Sequence, residues 1–147
     1  MSKQHILPQQ RRKARHYAMQ AIYSWHMTGN SASQLQASFR IDYDFDNTDI
    51  EYFNELVEQV ILQQAQLDAY FEPVLDRPLK DINGVELALL RVAVYELKDR
   101  LDVPYKVVIN EAVSLAKKFG AADSFKYING ILDRCAKHLR AVEVAAG

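Results

Sequence analysis

The stretch "VELALLRVAVYEL" (Val85–Leu97) decides the fold. It is apolar almost all the way round a helix, and a helix without a polar face is normally central and surrounded by others. "NGVE" (Asn83–Glu86) supplies its start signal, with Asn83 as the capping residue. "LDVPY" (Leu101–Tyr105) ends it. A core helix of this kind needs helical neighbours on every side.

The flanking sequence supplies them. "KVVINEAVSLAKKFG" (Lys106–Gly120) reads as a helix stopped by Gly120, expected in a left-handed conformation. Asp123 is expected to cap the last long helix, with Ile128, Ile131, Leu132, Cys135 and Leu139 facing inward. Gly130 sits inside that helix, where glycine costs about 0.5–1 kcal/mol against alanine. Close approach of another helix would explain it. The tail "VEVAAG" (Val142–Gly147) is expected to fray. "VPYKVVI" (Val103–Ile109) is the one β-like run.

Upstream, "PQQRRKARHYAMQAIYSW" (Pro8–Trp25) places Ala14, Tyr17, Ala18, Ala21, Ile22 and Trp25 on one apolar stripe. "TGNSAS" (Thr28–Ser33) breaks it and opens a short helix carrying Leu35 and Phe39. "TDIE" (Thr48–Glu51) reads as a capping box led by Thr48. A long helix follows with Phe53, Leu56, Val57, Val60, Ile61 and Leu67, ended by Pro73 and Pro78. The expected fold is all-α, a compact bundle of about seven helices. The expected subdomains are residues 1–76 and 77–147 of one domain.

Charge is segregated. Residues 1–41 hold Lys3, Arg11, Arg12, Lys13, Arg15 and Arg40 and no acid, whereas residues 42–76 hold ten acids and no Lys or Arg. Either a polyanion binds one part of the surface or two solvated faces offset each other. Four cations crowd the start of the first helix, its electropositive end, where each costs about 0.3–1 kcal/mol when exposed. A polyanion would relieve that repulsion, and free backbone N–H groups there favour phosphate. Arg12 and Lys13 point away from the stripe while Arg11 and Arg15 flank it, so reversing Arg11, Arg12 and Arg15 is expected to spare the fold. For single-stranded RNA a stacking platform is also needed. "DSFKYING" (Asp123–Gly130) offers Phe125 and Tyr127 beside Lys126, close to Lys117 and Lys118, and Tyr127 is the expected outward ring.

No catalytic constellation is legible. The four histidines are scattered, the single Cys135 lies on an apolar stripe, and no zinc, calcium, phosphate-loop or dinucleotide motif occurs, so no metal or cofactor is expected. One cysteine forms no internal disulfide, and with no signal sequence or apolar run of membrane length the expected location is cytoplasmic.

"RRKARHYAMQAIYSW" (Arg11–Trp25), "LRVAVYEL" (Leu90–Leu97) and "DVPYKVVINEAVSLAKKFGAADSFKYINGILD" (Asp102–Asp133) together resemble the NusB family of bacterial transcription antitermination factors, over nearly the whole chain. The resemblance implies binding of single-stranded boxA RNA from ribosomal leader transcripts. It also implies the partner NusE, a small-subunit ribosomal protein, and a place in the RNA polymerase antitermination complex. It carries RNA-binding roles onto Arg11, Arg12, Lys13, Arg15, Lys126 and Tyr127, and a partner-binding role onto Glu86; the charge pattern adds Lys3, Lys117 and Lys118 to the expected RNA-binding residues, and Asp81 is expected beside Glu86 on the partner surface. Lys13 and Leu87 depart from the residues common in the family. Two other readings remain: a helical domain detached from an RNA methyltransferase, and a self-associating helical protein, monomeric or weakly dimeric.

Overall fold

The computed structural model describes residues 7–147, so Lys3 lies outside the described residues. Among these residues there are eight α-helices, two short 3-10 turns and no strand. "VPYKVVI" is helical from Tyr105 onward. The chain divides into two compact units between Leu62 and Gln63, earlier than the expected division at 76/77. The expected long helix is interrupted at Gln63, and the segment beyond it packs with the second unit.

The first unit holds α1 (Pro8–Thr28), α2 (Ala32–Asp42) and α3 (Ile50–Leu62). Gly29 ends α1 in the left-handed region at φ 76°, a conformation that glycine adopts without strain. Ser31 caps α2: its hydroxyl accepts from Gln34 N at 3.2 Å, and Gln34 Oε1 accepts from Ser31 N at 2.8 Å. α3 is capped by Asp49 rather than Thr48, for Asp49 Oδ1 accepts from Tyr52 N at 3.0 Å. Ala14, Ala18, Ala21 and Ile22 of α1 pack with Phe53, Leu56, Val57 and Val60 of α3 in the core, while Tyr17 and Trp25 are only half-buried.

The second unit is built round α5 (Gly84–Asp99), buried without a break from Glu86 to Leu97. α4 (Gln64–Phe71), α6 (Tyr105–Phe119) and α7 (Ser124–Leu139) pack against it. Asn83 caps α5, its Oδ1 accepting from Val85 N at 2.8 Å. Arg91 is buried, and its guanidinium meets the Asp68 carboxylate through two 2.9 Å bonds. A buried charge persists only when paired in this way.

The tail does not fray as expected. Ala141–Ala146 form α8, tethered through the preceding Arg140. Arg140 is buried and donates to the carbonyls of Leu97 at 2.7 Å, Arg100 at 2.9 Å and Glu96 at 3.1 Å, closing the C-terminal end of α5. A cation suits that electronegative end, where carbonyls lack helical partners. Arg140 also meets Glu143 at 2.6 Å, and Glu143 accepts from Tyr105 N at 2.9 Å at the start of α6.

Neither of two glycines holds its expected role. Gly120 is extended, with φ −89° and ψ 175°, so no left-handed turn requires it. A Cβ there would lie 2.8 Å from Ala116 O and from Ser124 Cβ, so close approach is its reason. At Gly130, a Cβ would meet nothing within 4 Å, and no neighbouring helix presses on it. Nor does Asp123 cap α7 with its side chain; it lies at the cap position and meets Lys126 Nζ at 3.8 Å.

Candidate nucleic-acid interface

The cationic start of α1 is built differently at each position. Arg12 is exposed and Lys13 half-buried, with Lys13 Nζ donating to Asp46 O at 2.6 Å. Arg11 is half-buried; its guanidinium carbon lies 3.9 Å from the Tyr52 ring centroid and its Nε 3.5 Å from Asp49 Oδ2. Arg15 is only 5% exposed, its guanidinium 5.6 Å from the same ring. The expectation that Arg11, Arg12 and Arg15 could be reversed without harm therefore fails at Arg15. Arg11 and Arg15 stand one helical turn apart, and both reach Tyr52, which α3 presents beneath α1.

The acidic loop 43–49 is not merely solvated. It lies on α1, with Tyr17 Oη donating to Asp44 O at 3.0 Å and the Tyr17 ring stacked 4.7 Å from Phe45. Burial and the neighbouring Asp44 push the Tyr17 phenol above its ordinary pKa, so it stays a donor at neutral pH. Arg11 has no acid along its own helix and finds Asp49 across the fold instead. The repulsion among cations at the positive helix end is thus relieved in part from within.

In the second unit, Lys117 and Lys118 are exposed at the C-terminal end of α6, where their charge suits the helix dipole. Lys117 Nζ lies 4.9 Å and Lys126 Nζ 5.9 Å from the centroid of Phe125. Tyr127 is half-buried rather than fully outward. Its hydroxyl donates to Asp76 Oδ1 at 2.7 Å and lies 3.3 Å from Asp76 N, while the Arg77 guanidinium stands 4.7 Å from its ring centroid. The Arg77 hydrogen bonds, then that of Tyr127, hold the Asp76 carboxyl down to a pKa of about 2. Burial, then the bond to Asp76, raises the Tyr127 phenol. Beside Tyr127 opens a cleft of about 260 Å³, with Val74 and Asp76 on one wall and Gly130, Ile131 and Arg134 of α7 on the other. Asp76, Arg77 and Arg134 were not among the expected site residues. The only local signal for Asp76 and Arg77 is their place between Pro73 and Pro78.

The two expected partner residues separate. Asp81 is exposed on the 3-10 turn Leu79–Asp81. Glu86 is buried and accepts a hydrogen bond from Ser124 Oγ at the start of α7. It joins two helices of its own unit and is not an acid standing free on the surface. Cys135 is likewise internal: it is buried, and that burial raises its thiol to about 11.

The described residues form an all-helical protein with cations gathered near the start of α1 and at the end of α6. The sequence model of the NusB family matches residues 12–137. "Transcription antitermination protein NusB" of Teredinibacter turnerae is 56% identical over 137 residues, covering 92% of this chain and 93% of that one. Its namesake from Shewanella amazonensis is 53% identical over 127 residues, covering 86% and 95%. Among solved structures, the antitermination factors NusB and NusE in complex with double-stranded RNA match with a TM-score of 0.77 at 25% identity, covering 90% of this chain and 99% of that one. T. maritima NusB matches with a TM-score of 0.75 at 27% identity, covering 86% and 89%. The chain belongs to the NusB family.

Proposed function

We propose that this protein is a transcription antitermination factor that binds boxA-type RNA together with NusE and acts in the cytoplasm with the RNA polymerase antitermination complex. The observation that carries this reading is the start of α1, whose first turn holds no acid and which exposes Arg12 beside Arg11 and Lys13. Phosphate is the ligand that such a helix end favours. Lys3, Arg11, Arg12, Lys13 and Arg15 of the first unit, and Lys117, Lys118, Lys126 and Tyr127 of the second, are the RNA-binding residues of this reading. Arg15 serves chiefly by packing on Tyr52, the ring that Arg11 also reaches. Asp81 is the acid offered to NusE, and Glu86 shapes that surface from beneath through Ser124. The detached methyltransferase domain is not favoured, because the curated relatives are matched over 93% and 95% of their own length.

The test is a fluorescence-anisotropy titration with single-stranded boxA RNA, the same sequence as a duplex, and a scrambled strand, each with and without purified NusE. The duplex arm is needed because the related complex holds double-stranded RNA. The expected result is preference for the boxA strand, tightened by NusE, with log K falling against log[salt] at a slope of about −3 to −4 for four to six phosphates. No preference over the scrambled strand, with or without NusE, refutes the reading.

A further inference from the structure

Tyr127 reaches its half-exposed position already occupied by its own chain. Asp76 accepts from its hydroxyl, and the Asp76 N–H lies close enough to return a bond to it. Arg77 Nε and Nη2 donate to the two Asp76 oxygens at 2.7 and 3.1 Å, which sets the guanidinium over the ring. A planar cation over an aromatic face is attracted by its quadrupole and covers the surface that a stacked base would use. The segment that carries this pair joins two 3-10 turns and is anchored at neither residue by burial, since Asp76 and Arg77 are both exposed. Exposed ion pairs are weak, so the arrangement is one that a ligand can open.

We propose that Asp76 and Arg77 form a latch on Tyr127 that RNA opens. The entering base takes the place of Arg77 on the ring, and the released guanidinium pairs with a backbone phosphate. This rests on the reading that Tyr127 stacks a base. Arg77 is then an additional RNA-contacting residue, masked in the free protein, and Asp76 is the positioning residue that keeps it masked. The cleft wall suits the exchange. Lys126 and Arg134 draw the backbone in, and bare Gly130 leaves room for a flat group against α7. While the latch is closed the apparent affinity is lowered by the fraction of molecules that are open.

The test uses the full chain and single-stranded boxA RNA. Tyr127→Phe removes the hydroxyl bond to Asp76 without changing charge or removing the ring. It is expected to tighten binding by about threefold to tenfold, the inverse of the open fraction. Equal or weaker binding by Tyr127→Phe overturns the latch. Asp76→Ala should tighten binding as well, and by more than Glu72→Ala, which removes a nearby exposed acid outside the latch; equal gains would reduce the effect to charge and overturn it. Arg77→Ala should make the salt slope shallower by about 0.7, one phosphate on single-stranded RNA; an unchanged slope refutes the phosphate contact. In the wild-type protein, proton cross-peaks between the Arg77 side chain and the Tyr127 ring should vanish on adding RNA, and their persistence overturns the exchange. Tyr127→Ala separates the two ideas. If it leaves affinity unchanged, the stacking reading itself fails. If it weakens binding while Tyr127→Phe does not tighten it, only the latch fails.

Discussion

Two arginines of α1, Arg12 and Arg15, look alike in the sequence and should respond oppositely to reversal. Arg15 is 5% exposed and lies against Tyr52, itself 1% exposed. Arg15→Glu loses a cation over an aromatic face, worth about 0.5–2 kcal/mol. It also leaves a carboxylate in a buried place made for a guanidinium, and breaking such an arrangement costs about 3–5 kcal/mol. Together these come to about 3.5–7 kcal/mol, and at about 2–4 °C per kcal/mol for a chain of this size the melting temperature should fall by roughly 7–28 °C. Arg12 is exposed, so Arg12→Glu should stay within about 0.5 kcal/mol of wild type. Its loss should appear in RNA binding, with a salt slope shallower by about 0.7. Thermal melts by circular dichroism and anisotropy titrations on the same samples separate the two. A melting temperature for Arg15→Glu within about 2 °C of wild type, well short of the expected shift, would refute the structural role given to Arg15. A large fall for Arg12→Glu would make Arg12 structural and remove it from the interface.

Arg140→Met strips the Leu97 carbonyl of its guanidinium donor and should destabilise the protein by about 2–4 kcal/mol, with faster amide exchange at the end of α5; exchange there unchanged would show that the tail is decorative. Gly130→Ala should raise stability by about 0.5–1 kcal/mol, because the added methyl meets nothing, while weakening RNA binding if a flat group packs against that backbone; a lower melting temperature would contradict the open space at Gly130. Glu143 has its folded pKa depressed first by the bond from Tyr105 N and then by Arg140. A depressed carboxyl contributes stability above its ordinary pKa, 4.5, and loses it as pH falls through the depressed value. Protection of the Tyr105 amide should therefore decline below pH 4.5 and not at neutral pH; protection flat down to pH 2 would refute the tie.

How much of the candidate site was legible depended on how far each partner lay along the chain. Lys117, Lys118 and Lys126 could be grouped from the sequence alone, and the structure leaves all three exposed, because a helical face is set by residues three and four apart. Arg15 read wrongly, because periodicity placed it on the flank of the stripe and only the position of α3 shows that Tyr52 lies there to bury it. Tyr127 read half correctly: its place beside Lys126 was evident, but the Asp76 and Arg77 that cover it are about fifty residues upstream, and spacing within a helix says nothing about contacts at that range.

By itself the sequence determined that the chain is helical, that Val85–Leu97 lies at the centre of its unit, that Asn83 opens one helix and that the stretch Thr28–Ser33 opens another. Each of these follows from local chemistry: an apolar surface with no polar face must be covered, and a short polar side chain before a helix satisfies its free N–H groups. Only the tertiary structure decided that Asp49 answers Arg11, that Arg140 closes α5, and that Gly120 rather than Gly130 is the point of close approach. These depend on which surfaces meet when helices pack. A guanidinium or a missing side chain is indifferent to its sequence neighbours and is committed only by the atoms that packing brings against it.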